Sequence, residues 1–438
     1  MDFHIFAYIA VLLLMGLLST RLVKVLKLPN VTGYIVTGIV MGPFVFGLFF
    51  NGFTYDGIKD GLIAGYVQRL GWVSQVALGF IAFSIGTSFR ASTLKTLGKR
   101  VFVITALEAF GASALVILAL LAAHFIPALN VPWEVVLTLG AIASATAPAA
   151  TLMVIKQYKA RGKLVDTLLP VVALDDAAAL ILFAILFQIA TTISGGGDFD
   201  AYKMLAKPVL EILISIGIGA VLGGIVIIAN KFFKSRNNRL ILCIMSIFGA
   251  LGFYMLFRSP NLGGFELSSL LMCMMAGAMY STFCRDSGRT LDVLDRFTSP
   301  VYMMFFVLSG ASLDLTIFFG ENGLLVLAIA GIYLISRVIG KWLGAYGGSC
   351  ITHAEPEVKK YLGLTLVPQA GVAIGLATTA NALFAESASS ATREAGALIL
   401  ATVLTSTLVY ELVGPLISKY ALAKAGQIPV EGGQTPAS

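Results

Sequence analysis

PVVALDDAAALILFA, residues 170–184, sets two adjacent carboxylates, Asp175 and Asp176, in a run that is otherwise uncharged. One central Asp costs roughly 2.5–3.5 kcal/mol to insert into a bilayer, so two cost on the order of 6 kcal/mol before their repulsion is counted. Ionisable groups at such depth are functional candidates for that reason. A packing role would need only one acid. Two touching carboxylates in a low dielectric cannot both carry charge without a neutralising guest, and their protons belong to the pair. The pair is therefore expected to accept either protons or a small cation with hard oxygen ligands. Successive helical residues point about 100° apart, so one aspartate faces a cavity while the other faces a neighbouring helix.

The rest of the chain supplies the oil around this pair. Of 438 residues, 58% are hydrophobic and 12% charged, and the mean hydropathy is +0.91. Soluble domains carry about 25% charged residues. Apolar runs of about 20 residues cross a hydrocarbon core of roughly 30 Å as helices. The alternating segments of about ten residues that mark a membrane β-barrel are missing. The fold class expected is an all-α polytopic membrane protein. Its opening run, FHIFAYIAVLLLMGLL (3–18), has no basic lead-in and no small-residue cleavage site, and so reads as a retained helix. The net charge of +7 resides in loops and does not point to nucleic acid. Cys243, Cys273, Cys284 and Cys350 lack metal or disulfide spacing, and His4, His124 and His353 fall near helix ends or in loops. No cofactor is expected.

Charge clusters and Gly/Pro breaks divide the chain into thirteen helices. They cover approximately 3–26, 31–49, 69–89, 99–126, 133–157, 166–193, 205–231, 238–257, 263–283, 299–319, 322–346, 358–383 and 393–418. Alternate loops hold about 22 of the 30 Lys and Arg residues, which by the positive-inside rule puts the N-terminus outside and the C-terminus in the cytoplasm. Lys59, Arg69, Lys203, Lys207, Arg258 and Arg393 fall on the outer side, and only Arg337 and Lys341 lie within a helix.

Helices three and ten look alike, IAFSIGTSFRASTL (81–94) against FFVLSGASLDLTIF (305–318). So do helices five and twelve, where TAPAATLMVI (146–155) and VPQAGVAIGL (367–376) each put a proline in mid-membrane, Pro148 and Pro368. Both pairs are seven helices apart. An odd offset turns the second copy upside down, the inverted repeat of secondary transporters, whose sites lie where interrupted helices meet. Near each proline, backbone groups of 143–148 and 366–369 lose their helical partners and must face protein or water. Ser144, Thr146 and Gln369 add oxygen ligands there.

Arg337 lies about 15 residues into helix eleven, roughly 22 Å at 1.5 Å per residue, and needs an internal partner. Glu108, the lone acid of helix four, and Asp175 are both candidates, and the spacing does not choose between them. Lys341, one turn nearer the cytoplasm, is expected to snorkel. Glu134 and Glu266 sit close to outer helix ends.

These residues resemble the monovalent cation–proton antiporter superfamily over nearly the whole chain. LPNVTGYIVTGIVMGP (28–43) looks like the family's opening motif, FFVLSGASLDL (305–315) like its "FF-x-x-x-G-x-x-x-(D/N)-L" segment, and ASATAP (143–148) falls at its unwound crossing helix. LDDA (174–177) is similar to the two-aspartate motif of the electrogenic branch. The resemblance implies a sodium/proton antiporter fold with crossed broken helices. Asp176 would be the main ligand for Na+ (or Li+) and H+. Asp175 would be the first acid, paired with Arg337 by the match of SRVIGKWLGA (336–345) to "(K/R)-x-x-G-k-x-x-G". The electrogenic form usually has lysine there, and arginine effectively cannot give up its proton. Helix twelve reads PQAG rather than PRG, leaving neutral Gln369. The chain ends without the nucleotide-binding domain of potassium-efflux relatives.

The implied layout is scaffold and dimerisation helices in 1–58 and 236–290, a transport core in 59–197 and 291–420, a linker helix in 198–235, and a short tail, 421–438. The expectation is a homodimeric antiporter of the plasma membrane, of bacterial inner-membrane type, working by elevator-like alternating access. A potassium/proton antiporter would use the same residues. An ion-coupled organic-anion symporter would want a larger cavity and usually lacks an adjacent acid pair. An intramembrane aspartyl protease would carry its aspartates on two helices. GIVMG (38–42) suits a close helix contact, in a dimer or within the chain.

Overall fold

The computed structural model describes residues 3–26, 28–47, 61–87, 91–127, 129–193, 206–258, 267–284, 287–312, 323–385 and 389–429, with backbone only at 91–97, 208 and 289. Lys59, Lys203, Glu266, Arg90 and Asp314 of the quoted motifs, and tail residues 430–438, lie outside these. Among the described residues the chain is all helix and coil. The helices are α1 (Phe3–Val25), α2 (Asn30–Met41), α3 (Leu62–Arg69), α4 (Gly71–Gly86), α5 (Ala91–His124), α6 (Trp133–Ile142), α7 (Pro148–Tyr158) and α8 (Lys163–Ile193). They continue as α9 (Lys207–Phe232), α10 (Arg236–Arg258), α11 (Ser269–Phe283), α12 (Ser287–Ala311), α13 (Gly323–Ile351), α14 (Pro356–Thr365), α15 (Gly371–Ala385) and α16 (Ser390–Lys424).

Among the described residues, each of the thirteen expected spans contains helix, though α2 stops at Met41 rather than 49 and several others run past their expected ends. α12 starts at Ser287 rather than 299, α13 continues to Ile351 rather than 346, and α16 to Lys424 rather than 418. Hydropathy locates where lipid ends, whereas a helix continues while its backbone bonds and packing persist. Helices five and twelve are both interrupted. Pro148 opens α7 at its first position, where a missing N–H costs nothing. Pro368 lies between α14 and α15, which are separated from Leu366 to Ala370. The two breaks cross, and the amide of Ala147 donates to the carbonyl of Pro368 at 2.8 Å.

Glycines set which helices approach most closely. A Cβ on Gly340 would fall 2.6 Å from the Gly111 oxygen, one on Gly344 2.6 Å from the Cα of Glu108, and one on Gly348 2.8 Å from the Cα of Ile104. α5 and α13 therefore meet backbone to backbone, as small residues allow in membranes. The GIVMG stretch is likewise an internal contact. A Cβ on Gly38 would collide with the Val307 carbonyl, and one on Gly42 would lie 2.9 Å from the Cα of Ala311, both on α12.

Buried apolar side chains fall into three clusters. The first joins α1–α4 and α9–α12, through residues such as Phe80, Phe83, Met272 and Phe306, and takes in Ala149, Ala150 and Leu152 of α7 and Ala173 of α8. The second joins α5, α6, α8, α13, α15 and α16. A third packs one end of the second group, around Leu164, Leu362 and Leu422. α4 and α12 share their apolar packing with α1, α2 and α9–α11.

Candidate functional site

The crossing of the two breaks is the centre of the site. Four helix ends converge on it. α6 and α14 bring C-terminal ends, with carbonyls left over; α7 and α15 bring N-terminal ends, with amides left over.

Arg337 and Lys341 stand one turn apart on α13, and both are fully buried. Arg337 serves the carbonyls. Its Nε donates to Ala143 at 2.9 Å, and its two terminal nitrogens donate to Val367 and Ala145, each at 2.7 Å. Its guanidinium lies 4.7 Å from the ring centroid of Tyr410. Gln369 helps from the other break: its Nε2 donates to the Ile142 carbonyl at 3.0 Å, while its Oε1 accepts from the Tyr333 hydroxyl at 3.1 Å. Arg337 and Gln369 thus replace the backbone donors that the breaks removed. Among the described contacts, Arg337 meets neither Asp175 nor Glu108, which corrects both pairings expected for it. Its five donors let one guanidinium serve three carbonyls at once, which a lysine ammonium could not do in good geometry.

Lys341 takes the acids instead. Its Nζ is 2.8 Å from Asp175 Oδ2 and 2.7 Å from Glu108 Oε2. It also donates to the Ser144 carbonyl at 2.5 Å and to the Thr146 hydroxyl at 2.7 Å. Three ammonium protons serve four oxygens, so at least one bond is shared. The expected snorkelling fails for a plain reason. α13 runs to Ile351, leaving Lys341 about ten residues, roughly 15 Å, short of the helix end. The signal that could have found this pairing is the glycine spacing Gly340–Gly344–Gly348, which brings the backbone of Glu108 against α13.

The two aspartates of α8 do different jobs, as their angular offset implied. Asp175 accepts from Thr146 and Lys341 through Oδ2. Asp176, 2% exposed, has an Oδ1 with no hydrogen-bond partner. It lines a cavity of about 30 Å³ together with Thr146, Pro148 and Gly371 on one side, and Ile85, Met274 and Phe305 on the other. That volume holds one or two water-sized guests. The cavity lies between the first and second apolar clusters, against the N-terminal ends of α7 and α15. Ser144 turns its hydroxyl back to the Ala141 carbonyl at 2.7 Å, so its backbone rather than its side chain reaches the site.

Three buried acids, Glu108, Asp175 and Asp176, thus face two buried bases, Arg337 and Lys341. Fully ionised, the set is short by one positive charge. One monovalent cation or one proton balances it.

At the end of the bundle carrying Lys163 and Glu355, a second set of charges ties helices together. Glu355 pairs with Arg100, and with Lys163 at 3.4 Å. The hydrogen bond from Arg100 holds its carboxyl down to about 2. Lys156, at the end of α7, binds Asp295 of α12 at 2.6 Å and Ser84 of α4 at 2.9 Å.

With this geometry in place, comparison with known families is decisive. The family model described as "Sodium/hydrogen exchanger, transmembrane" matches residues 9–418. The chain belongs to the sodium/hydrogen exchanger family. Among solved structures, it resembles the sodium proton antiporter MjNhaP1 from Methanocaldococcus jannaschii at pH 8, with 18% identity over 97% of this chain and 98% of that one, at a TM-score of 0.68. A map of the same antiporter by electron microscopy matches at 17% identity over 99% and 100% of the two chains, with a TM-score of 0.74. At such identities the likeness establishes the antiporter fold. No curated protein matches the sequence. Membership in this exchanger family agrees with the expected resemblance, the all-α membrane fold and the crossed, broken helices at its centre.

Proposed function

We propose that this exchanger moves Na+ (or Li+) against H+, with Asp176 as the group that holds either guest in turn. The observation that carries the reading is the buried, unpartnered Asp176 oxygen facing a small cavity between the two apolar clusters. Thr146 and carbonyls of the broken helices complete the oxygen ligands, and Asp175 stays tied to Lys341. Alternating access follows if the second cluster slides as an elevator against the first, carrying the crossing with it. The apolar cavity wall comes mostly from the first cluster, with Val372 from the second, so such a slide would change its lining.

The N-terminus is placed outside and the C-terminus in the cytoplasm of a plasma membrane by the Lys/Arg bias. A homodimer through the scaffold is consistent with the outward apolar face of α1, where Leu14, Leu17 and Leu22 are more than half exposed. The likeness of helices three to ten and five to twelve is the trace of an inverted repeat. Because a lysine rather than an arginine touches Asp175, the chain retains a base able to give up a proton in a buried site. A two-proton cycle is therefore open to it.

The test is exchange in proteoliposomes. Asp176→Asn should abolish Na+-driven proton movement, and normal exchange in that variant overturns the assignment. Current measurement on solid-supported membranes with Na+, Li+ and K+ steps then reads selectivity and net charge together. A response to K+ alone would move the chain to potassium/proton exchange.

A further inference from the structure

Away from the crossing, α16 carries an acid that the site does not use. Glu411 is 4% exposed, and its Oε2 has no hydrogen-bond partner. An ionised carboxylate left alone at this depth would be expensive, so something must neutralise it. No basic side chain pairs with it among the described residues.

The neighbourhood of Glu411 is a line of oxygen atoms. Thr407 and Ser418 stand four residues before it and seven after it, which sets all three on one helical face. Both are fully buried, and both hydroxyls lack partners. Pro415 interrupts the helix within this face. Having no N–H, it leaves the backbone carbonyl four residues earlier, that of Glu411 itself, without its helical donor. A carboxylate, a carbonyl and a hydroxyl one turn away make a hard-oxygen set suited to a small monovalent cation.

The position of this face is equally pointed. Leu408 and Leu412 pack against the first apolar cluster, while Tyr410 and Ile417 belong with the second. At 100° per residue, Glu411 falls on the strip between those two directions. One turn on, Gly414 rests on Pro368, where an added Cβ would lie 2.9 Å from the ring. The oxygen line therefore passes beside the second helix break and runs on toward the Lys424 end of α16 along the seam between the clusters.

We infer that Glu411, with the Thr407 hydroxyl one turn before it, forms a second monovalent-cation site, a station on the approach from the C-terminal side to Asp176. It rests on the exchanger reading only for its place in the cycle; occupancy of the site is independent of it. The experiment is equilibrium binding of radiolabelled Na+ to the purified full chain. Asp176→Asn should retain one Na+ per chain, and Asp176→Asn combined with Glu411→Gln should retain none. In transport, Glu411→Gln should raise the KM for Na+ on the C-terminal side about tenfold, the equivalent of losing one charged ligand, with kcat unchanged. Glu411→Asp should restore binding, and Thr407→Val should weaken it in a chain that keeps the acid. Loss of all Na+ binding in Asp176→Asn, or an unchanged KM in Glu411→Gln, overturns the second site. Normal exchange in Asp176→Asn would instead overturn the function proposed for Asp176 and leave the Glu411 count standing.

Discussion

Replacing Arg337 with lysine separates the two roles that this residue was open to from sequence. Were Arg337 the point charge opposite Asp175, lysine would serve nearly as well. In the structure Arg337 spreads three nitrogens over the carbonyls of Ala143, Ala145 and Val367. A single ammonium nitrogen reaches one of these in good geometry and leaves two orphaned. A buried group left unpaired costs about 1–3 kcal/mol, so the substitution should cost about 2–6 kcal/mol. Unfolded helices in a membrane find substitute partners, which favours the lower half of that range. The assay is unfolding by increasing SDS fraction in mixed micelles, followed by tryptophan fluorescence. Trp133 opens α6, and Trp342 stacks on Tyr346 beside the crossing helix, so the signal reports on this region. Arg337→Lys should unfold at a clearly lower SDS fraction than the parent. If it unfolds with the parent while losing exchange, Arg337 is a transport charge and the reasoning fails.

Other consequences follow from the same geometry. Glu108→Gln removes one of three buried acids and leaves two facing two bases, so the site no longer lacks a positive charge; the KM for Na+ should rise about tenfold or more, worth about 1.4 kcal/mol, and an unchanged KM counts against the charge balance. Gly344→Ala would set a Cβ 2.6 Å from the Cα of Glu108, where backbone has no room to give, and should cost about 1–3 kcal/mol in the same SDS assay. Gly347→Ala, facing open space on the same helix, is its control and should unfold with the parent. Glu355, held down to about 2 by Arg100, contributes stability that is present above its ordinary value of 4.5 and is lost as pH falls through the window from 4.5 to 2. The melting temperatures of the parent and Glu355→Gln should therefore converge at the acid end of that window, and a constant gap contradicts the pairing. Lys156–Asp295 ties α7 to α12 and is partly exposed, so Asp295→Asn should change exchange rate by no more than about fivefold, the reach of a pair worth up to about 1 kcal/mol.

The legible features were those whose cost in lipid is visible one residue at a time. Asp175, Asp176, Pro148 and Pro368 each break a local rule of membrane helices, and each lies at the crossing. Glu108 and Arg337 broke it too, and both are buried where depth demanded. What depth could not supply was the partner. Arg337 and Lys341 share a face one turn apart, and which of them meets an acid depends on how closely α5 approaches α13. That approach is set by Gly340 and Gly344, small residues that carry no charge signal of their own. Lys341 was further hidden by an α13 that extends past the end of its apolar run. The close contacts of α4 with α11 and of α12 with α2 were equally hidden, because the glycines that make them read as ordinary membrane composition. Glu411 carries a related lesson: α16 runs on to Lys424, which sets this acid well inside the helix.

The crossing also explains why the two bases and the free acid sit where they do. Helix C-termini carry about half a negative charge and N-termini about half a positive one. Arg337 and Lys341 lie against the carbonyls that end α6 and lead out of α14, while Asp176 shares its cavity with the first residues of α7 and α15. Each formal charge thus faces the dipole end of opposite sign. For Asp176 this has a functional edge. Two N-terminal ends partly offset its charge when no guest is bound, which makes the empty carboxylate tolerable in the protein interior. The same partial positive charges weaken its hold on a cation. A site that must load on one side of a membrane and unload on the other needs both properties, and a carboxylate with a strong basic partner of its own would have neither.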